Sequence, residues 1–320
     1  MNISSNFALK EIYDRSFERK FETLTIGGYA PPITLGVHVS KSSKVLDEES
    51  KSRTVEEAVV ADTQYFGFNA AQIFTHGPKG RAAVKMDEEA VQVACVKHQL
   101  VLVTHSSYVS ATFWNGESRH LIDQLQTCDS IGAIGLVLHL PAKLTATEIA
   151  TRLLEFSRIR IVRNLHARIL LENHPYKSSE FSFETPQKIN SLCHAIKVYH
   201  VPESLWGLCI DTAHLWTSGE DLTTKEQMQD WLAKLQYSNK IKLVHLNGNF
   251  TDFNSGRDEH AIVFSKDDRI WGDYSNKTIE SGVAALVKFC QKNRIPMIME
   301  INRGTCEEIK TGIAKIRNLA

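Results

Sequence analysis

The sequence lacks a net charge and any long apolar run, and each absence excludes a class of protein. Its 37 lysines and arginines are balanced by 37 aspartates and glutamates, so the whole chain offers no field that would attract nucleic acid. Apolar runs such as Gly135-Leu-Val-Leu are far shorter than the roughly 20 residues of a membrane-spanning helix. We therefore expect a soluble protein without a membrane partner, which would meet any polyanion through a local patch.

The sequence also lacks a Cys-x-x-Cys pair, and most of its six cysteines lie in apolar segments. This pattern predicts reduced, buried thiols in an intracellular protein. Residues 1–20 have no apolar core of a secretory signal and carry Glu11, Asp14 and Glu18, which mitochondrial transit peptides usually avoid. We expect a protein of the cytoplasm or nucleus that is not secreted. The sequence has no heptad repeat of apolar residues that would form a coiled coil, so we expect a monomer.

What is present is a repeated alternation of two kinds of segment. From residue 33 onward, eight short runs rich in Val, Ile or Leu alternate with longer amphipathic segments, as in successive βα units. Strands are predicted at 33–40, 70–75, 100–105, 135–140, 168–173, 205–211, 241–247 and 295–301. The spacing of Ile279, Val283, Leu286 and Cys290 predicts one of the helices.

Three helix starts carry the pattern of a capping box. Thr54-x-x-Glu57, Thr145-x-x-Glu148 and Thr305-x-x-Glu308 each place a hydroxyl three residues before a carboxylate. With eight strands and eight helices, we predict a single (β/α)8 TIM barrel over residues 33–320, after an N-terminal extension over residues 1–32. An open doubly wound sheet would need a glycine-rich phosphate loop after its first strand, and Gly36-Val-His-Val-Ser is not one.

Metal-ligating residue types stand at the C-terminal ends of the predicted strands, where barrels build their active sites. A lone histidine there is more often a hydrogen-bonded core residue, but four carboxylates buried together would repel and would cost several kcal/mol each in desolvation. Cations are therefore required. Five imidazoles and four carboxylates favour zinc, with manganese or iron as alternatives, and are enough for two or three ions. The nine residues are His105, His139, Glu172, Asp211, His214, His245, Asp258, His260 and Glu300.

These residues lie within an ordered set of motifs that resembles the endonuclease IV family of apurinic/apyrimidinic (AP) endonucleases. The resemblance implies a zinc-dependent (β/α)8 enzyme of base excision repair, with three zinc ions or manganese at one site. It would cleave double-stranded DNA 5′ to an abasic site, leaving a 3′-hydroxyl and a 5′-deoxyribose phosphate, and 3′-end trimming is a further activity to test. The motifs are Leu35-Gly-Val-His-Val-Ser, Thr104-His-Ser-Ser-Tyr, Leu171-Glu-Asn, Cys209-Ile-Asp-Thr-Ala-His, Val244-His-Leu-Asn and Met299-Glu-Ile-Asn.

The resemblance also implies how the ligands are shared. His105, His139 and Glu172 would hold the first ion. Glu172 would bridge to a second ion, held by Asp211, His245 and Glu300, and the third ion would be held by His214, Asp258 and His260. The catalytic members would be Glu172, Glu300 and His214, with Glu300 orienting or deprotonating the attacking water.

Contacts with DNA are expected from the same loops, at Lys79, Arg81, Tyr108 and Arg257. Cations hold backbone phosphates, and an aromatic ring fills the stack at an abasic site. Tyr108 follows His105 by three residues, where the family carries a tyrosine that enters DNA at the lesion. Lys85, Trp114, Lys177, Trp216, Trp271 and Arg303 are weaker candidates, since rim packing or a solvated charge is the more common role of such residues.

The sequence departs from the family pattern at two places, and two alternative functions remain open. His139 is followed by Leu-Pro-Ala instead of Pro-Gly, and Ser265-Lys-Asp-Asp-Arg-Ile-Trp-Gly replaces a glycine-rich run. His38 is expected to support the site from outside the ligand set. A sugar isomerase or epimerase of the same superfamily would use one ion and only four of the nine residues. A lesion-binding protein without turnover would keep the site but not cleave DNA.

Overall fold

A computed structural model of the chain describes residues 32–39, 54–175, 183–301 and 303–320. Eight parallel strands form a closed barrel whose order follows the chain, and the last strand closes it against the first. This arrangement confirms the predicted (β/α)8 fold. The ten strands of the described chain are β1 (Leu35–His38), β2 (Ala70–Phe74), β3 (Val101–His105), β4 (Leu136–His139), β5 (Ile169–Glu172), β6 (Trp206–Asp211), β7 (Ile241–His245), β8 (Gly248–Asn249), β9 (His260–Ala261) and β10 (Met297–Met299).

Helices follow the barrel strands and cover its outside. The three predicted capping boxes are present, at Thr54, Thr145 and Thr305, and each begins a helix. The helices are α1 (Val55–Phe66), α2 (Glu88–His98), α3 (Arg119–Ser130), α4 (Ala146–Val162), α5 (Pro186–Val198), α6 (Thr212–Thr217), α7 (Lys225–Ala233), α8 (Gly282–Asn293) and α9 (Cys306–Arg317).

The start of α8 differs from the prediction. Ile279 lies in a short 3₁₀ turn, Thr278–Glu280, and is 61% exposed, so it does not belong to the apolar stripe of the helix. The helix begins at Gly282, whose N–H donates to the carbonyl of Thr223 at 2.8 Å. A Cβ atom at Gly282 would lie 2.0 Å from the carbonyl oxygen of Leu222. This close backbone approach fixes the start of the helix, and a periodicity argument cannot detect it.

The segment between β7 and β10 also has more regular structure than the loop that the sequence predicts. β8 and β9 pair in an antiparallel sheet, with Gly248 opposite Ala261 and Asn249 opposite His260. Strands of two residues are too short to give a hydrophobic period. The pairing has a functional consequence, because it holds His260 on a short hairpin beside the mouth of the barrel.

The interior of the barrel has an apolar layer and a polar layer. Side chains two residues apart on a strand share a face, so the last apolar inward residue of a strand is followed by a polar one nearer the C-terminal end. The apolar layer contains Ala70, Val101, Val103, Val137, Leu170, Cys209, Leu243 and Ile298. The polar layer two residues on includes Gln72, His105, His139, Glu172, Asp211, His245 and Glu300.

Some of the predictions concern residues that the structure does not describe. The predicted N-terminal extension lies almost entirely outside the described residues and stays a prediction, as does the placement of Ser40 at the end of the first strand. No disulfide joins the six cysteines, all of which lie in the described ranges, and Cys306 is the one that is not fully buried. In the described ranges, no helix has the length and apolar character needed to cross a membrane.

Candidate metal centre

The first group of ligand types lies on β3, β4 and β5. The Nε2 atoms of His105 and His139 lie 3.4 Å and 3.0 Å from Oε2 of Glu172, which is fully buried. Nδ1 of His105 lies 2.8 Å from the carbonyl of Ser106. A carbonyl only accepts, so Nδ1 carries the proton and the lone pair of Nε2 faces the carboxylate. Three potential ligand atoms therefore converge on one point.

The second group shares Glu172 and adds β6, β7 and β10. Nδ1 of His245 lies 2.7 Å from Oε1 of Glu172, 3.4 Å from Oε2 of Glu300 and 3.6 Å from Oδ2 of Asp211. The amide of Asn247 donates to Asp211 at 2.7 Å and to Glu300 at 3.3 Å. Since the two oxygens of Glu172 face different groups, this carboxylate stands where a bridging ligand would be.

The third group forms where β6 runs into the short helix α6. The carboxylate of Asp211 caps this helix and accepts the N–H of His214 at 2.9 Å, which explains why a spacing of three residues brings both side chains to one site. Nε2 of His214 lies 3.3 Å from Oδ2 of Asp258, and Nε2 of His260 lies 2.7 Å from Oδ1 of the same residue. Asp211 also belongs to this group, since ligand atoms of Asp211, His214 and His260 lie within 4.8 Å of one another.

The nine predicted ligand residues thus occupy one continuous site with three overlapping groups. The resemblance to the family implied that Asp258 lies with His214 and His260, and the structure brings these three together. The structure adds the sharing of Asp211 between the second and third groups. It also brings Cys209, one layer below, within 4.8 Å of ligand atoms of Glu172 and His245. Burial raises the pKa of the Cys209 thiol to about 12, so without an ion this sulfur is a neutral packing atom of the apolar layer.

The charges in the site are strongly coupled. Burial by itself would raise the pKa of Glu172, but His139 and His245 hold it well below its usual range. Burial likewise opposes the charged form of His214, yet Asp211 and Asp258 raise its pKa well above the usual value. The pKa of His260 is raised to about 9, against desolvation, mainly by its contact with Asp258. Without an ion, Glu172 therefore stays charged, and His214 and His260 favour their protonated forms.

Three buried atoms lie beside other candidate ligands but make no hydrogen bond of normal geometry in the described part of the chain: Oε2 of Glu172, Nε2 of His214 and Nε2 of His260. Buried polar atoms are nearly always satisfied. Each of the three belongs to one of the ligand groups, so divalent cations would satisfy all of them at once. The donor set of imidazoles and carboxylates fits zinc.

A pocket open to solvent lies above these groups, and Tyr108 stands at its rim. The ring of Tyr108 is 5.7 Å from that of His139, and the residue is 52% exposed. Its N–H donates to the carbonyl of Pro78 at 2.9 Å, which ties its loop to the turn that carries the exposed Lys79. His38 also lines the pocket, closer to the chemistry than expected from the sequence.

The other predicted DNA-contact residues have different surroundings. Arg81 is exposed but lies 3.0 Å from Glu117, and Arg257 lies 3.2 Å from Glu259. Each of these cations therefore has a local counter-ion, which lowers the positive potential it adds to the rim. Lys177 lies outside the described residues.

Two of the tryptophans named as weaker DNA-contact candidates are buried, which agrees with the packing role that is more common for such residues. Trp114 is 6% exposed, and its indole N–H donates to the carbonyl of the candidate ligand His139 at 2.9 Å. Trp271 is fully buried and donates to the carbonyl of Leu222 at 3.3 Å. In both, a large ring fills the space between a loop and the barrel, and tertiary packing decides this.

Sequence reasoning missed three amides that hold the ligands. Asn173 exchanges two hydrogen bonds with the backbone of Asp211, at 2.8 Å and 3.1 Å. Asn247 bridges Asp211 and Glu300, and Gln72 contacts His38, His245 and Glu300. The signal was present in the sequence, since each amide either follows a ligand motif or interrupts an apolar strand at an inward position.

Comparisons with known proteins agree with this geometry. The sequence profile of the xylose isomerase-like TIM barrels matches residues 60–301. A probable AP endonuclease of African swine fever virus (isolate Tick/South Africa/Pretoriuskop Pr4/1996) is 31% identical over 259 residues, covering 78% of this chain and 84% of the relative. A probable endonuclease 4 of Thermosipho africanus is 27% identical over 222 residues, covering 64% of this chain and 77% of the relative.

Solved structures give the same result for the fold. The crystal structure described as AsfvAP:AG superposes with a TM-score of 0.75 at 27% identity, covering 90% of this chain and 98% of that one. Endonuclease IV from Thermus thermophilus superposes with a TM-score of 0.66 at 20% identity, covering 89% of this chain and 98% of that one.

Proposed function

Because the chain belongs to the endonuclease IV family of AP endonucleases, within the xylose isomerase-like TIM barrels, we propose that it is a zinc-dependent AP endonuclease of base excision DNA repair. It would act as a monomer on double-stranded DNA and hydrolyse the phosphodiester 5′ to an abasic site. The products would be a 3′-hydroxyl and a 5′-deoxyribose phosphate. The observation that carries this proposal is the set of three overlapping ligand groups joined through Glu172 and Asp211.

The three groups divide the proposed ligands as follows. His105, His139 and Glu172 would hold one ion, and Glu172 would bridge to a second at Asp211, His245 and Glu300. The third would lie at His214, Asp258 and His260. When bound, zinc supplies an activated water and electrostatic stabilisation of the leaving oxygen. Three zinc ions would bring +6 against −4 from the carboxylates, which leaves about +2 where the scissile phosphate must sit.

The chain's own residues would orient the reactants. Glu300 has one oxygen held by Gln72 at 2.8 Å and the other beside His245 at 3.4 Å, and its side chain is 14% exposed. It is therefore both fixed and open to the pocket, as a group that orients a water or accepts its proton must be. His214 is fixed at Nδ1 by the carbonyl of Asn173 at 2.6 Å, so Nε2 is directed at the third group.

The rim would recognise the lesion. Tyr108 combines an exposed ring with a backbone anchored to Pro78, so it can enter the stack left open by an abasic nucleotide at little entropic cost. Lys79, Arg81 and Arg257 would hold backbone phosphates. The counter-ions Glu117 and Glu259 predict that the two arginines contribute less than Lys79.

The test is incision of a labelled duplex with a single AP site, with and without prolonged chelation, beside metal analysis of the same preparation. We expect cleavage 5′ of the lesion, loss of cleavage on chelation, and two to three zinc ions per chain. A single bound ion with sugar turnover would instead favour the isomerase. A folded, fully metallated sample that binds abasic DNA without cutting it would favour a lesion-binding protein.

A further inference from the structure

Gln72 is buried inside the barrel on β2 and contacts three side chains of the site, although it belongs to none of the ligand groups. Its Nε2 lies 2.8 Å from Oε1 of Glu300 and 2.9 Å from Nδ1 of His38. Its Oε1 lies 2.8 Å from Nε2 of His245. Both polar atoms of the amide are therefore used.

The chemistry of these partners fixes which way the amide points. The carboxylate of Glu300 only accepts hydrogen bonds, so it must face the NH₂ group of Gln72 and not the carbonyl oxygen. The second hydrogen of the same NH₂ group then points at Nδ1 of His38. The carbonyl oxygen of Gln72 is left facing Nε2 of His245. A flipped amide would place two acceptor oxygens about 3 Å apart in the interior, which costs more than the observed arrangement.

This orientation sets one tautomer in His245. The oxygen of Gln72 accepts, so Nε2 of His245 must carry a proton. In the neutral ring, the lone pair is then on Nδ1, which faces Glu172, Asp211 and Glu300 at 2.7 Å, 3.6 Å and 3.4 Å. Gln72 thus selects the ligating nitrogen of His245, and it occupies one oxygen of Glu300 so that the other remains for the ion.

The same orientation sets the opposite role for Nδ1 in His38. An NH₂ group donates, so Nδ1 of His38 accepts and the proton of the neutral ring is on Nε2. Nε2 of His38 is buried and has no hydrogen-bond partner in the described ranges, and His38 lines the pocket above the ligand groups. A buried N–H donor in the wall of a site for a phosphodiester is suited to a phosphate oxygen.

We propose that Gln72 is a positioning residue that directs two histidines to different tasks. His245 is directed to bind its ion through Nδ1, and His38 is directed to donate from Nε2 to a non-bridging phosphate oxygen of the substrate. The role of His38 rests on the proposed function, whereas that of His245 requires only that the site binds a divalent ion.

The proposed role of Gln72 in metal binding by His245 is tested with Gln72→Met. This variant keeps the length of the side chain and removes both hydrogen-bonding groups. Zinc affinity is measured by competition with a chromophoric chelator, and we expect one class of site to bind roughly 10–100-fold more weakly. Gln64→Met is the matched control, because Gln64 makes a similar contact with Nδ1 of His98 at 3.2 Å on the exposed surface. It should leave zinc affinity unchanged.

A spectroscopic readout separates positioning from simple packing. Long-range ¹H–¹⁵N correlation spectra of the zinc-loaded protein, labelled at histidine nitrogens, distinguish protonated from ligating nitrogens. We expect His245 to show a protonated Nε2 and a ligating Nδ1, and His38 a protonated Nε2. If thermal melting shows that Gln72→Met is not folded, Gln72→Glu is used instead. It keeps the acceptor for His245 and loses the donor for His38 and Glu300, so only the His38 signal should change its tautomer.

The proposed contact of His38 with the substrate phosphate is tested with His38→Leu and His38→Gln in zinc-loaded protein. We expect His38→Leu to keep zinc content and to lower kcat/KM for incision by about 10–100-fold, the range for loss of one positioned donor. His38→Gln should recover part of the loss because its amide can donate. Binding of inorganic phosphate, followed by ³¹P NMR, should weaken in parallel.

The outcomes separate this proposal from the proposed function. Unchanged zinc affinity and tautomers in Gln72→Met would overturn the role of Gln72. Wild-type phosphate binding in His38→Leu would overturn the role of His38, even if the wild-type protein failed to cut DNA. If the wild-type protein cuts no DNA while the zinc and phosphate results follow expectation, the proposed function fails and the positioning role stands.

Discussion

The two layers inside the barrel come from the same strands but have opposite physical characters. On β5, Leu170 and Glu172 are two residues apart, point to the same interior and are both fully buried. Leu170 gains free energy from burial. Glu172 is a charged group out of water, held by histidines, and one of its oxygens has no hydrogen-bond partner in the described chain. The lower layer stabilises the fold, and the upper layer uses that stability to hold a site that is costly without ions.

The largest expected effect is that of Glu172→Gln, which removes the shared carboxylate of two ligand groups and the charge that neutralises their ions. We expect zinc stoichiometry to fall below that of the wild type and incision of an AP-site duplex to fall by at least about 10³-fold. The metal-free variant should be less stable than the metal-free wild type, because the buried histidines that hold the pKa of Glu172 below its usual range lose their counter-charge. Wild-type zinc content in this variant would contradict the bridging role.

The matched change in the lower layer is Leu170→Ala. It leaves a cavity beneath the ligands and should lower the free energy of unfolding by about 3 kcal/mol, measured by urea denaturation of the metal-free protein. Zinc stoichiometry should stay at the wild-type value. If this variant lost zinc as readily as Glu172→Gln, the two layers would not be energetically separable.

The charges of the upper layer predict how zinc affinity depends on pH. Their surroundings raise the pKa values of His214, His245 and His260 in the metal-free protein, that of His260 to about 9. At pH 7 these rings hold protons that zinc must displace, so affinity should rise with pH up to about pH 9, by up to about tenfold per pH unit for each proton. Calorimetry in two buffers of different ionisation enthalpy counts the protons, and zinc binding without proton release would contradict this reasoning.

The smallest expected effect is at the rim, outside both layers. Tyr108→Ala should weaken binding to abasic duplex by roughly tenfold, the usual scale for loss of one stacking ring, and should leave zinc content and unfolding unchanged. Binding to an intact duplex is the control and should change less. Equal weakening of both duplexes would reduce Tyr108 to a packing residue.

The sequence predicted the barrel and the candidate ligand residues because both depend on local patterns. A strand is marked by its apolar run, and a candidate ligand by the polar residue at the end of that run, as in Leu171-Glu172 and Val244-His245. Capping boxes such as Thr54 and Glu57 are local for the same reason. Where the prediction failed, the cause was contact with a distant part of the chain. The helix α8 begins where Gly282 meets Thr223, which lies in another part of the sequence.

The sequence by itself determined which chemical groups stand at the mouth of the barrel, since alternation along each strand fixes the inward residue. Only the tertiary structure decided how those groups are placed against one another and which atoms they present. Closure of β1 on β10 brings Gln72 against Glu300, 228 residues away, and against His245, 173 residues away. No local period encodes those contacts. They follow from the closed parallel sheet, which brings the ends of all its strands around one axis regardless of their separation in the chain.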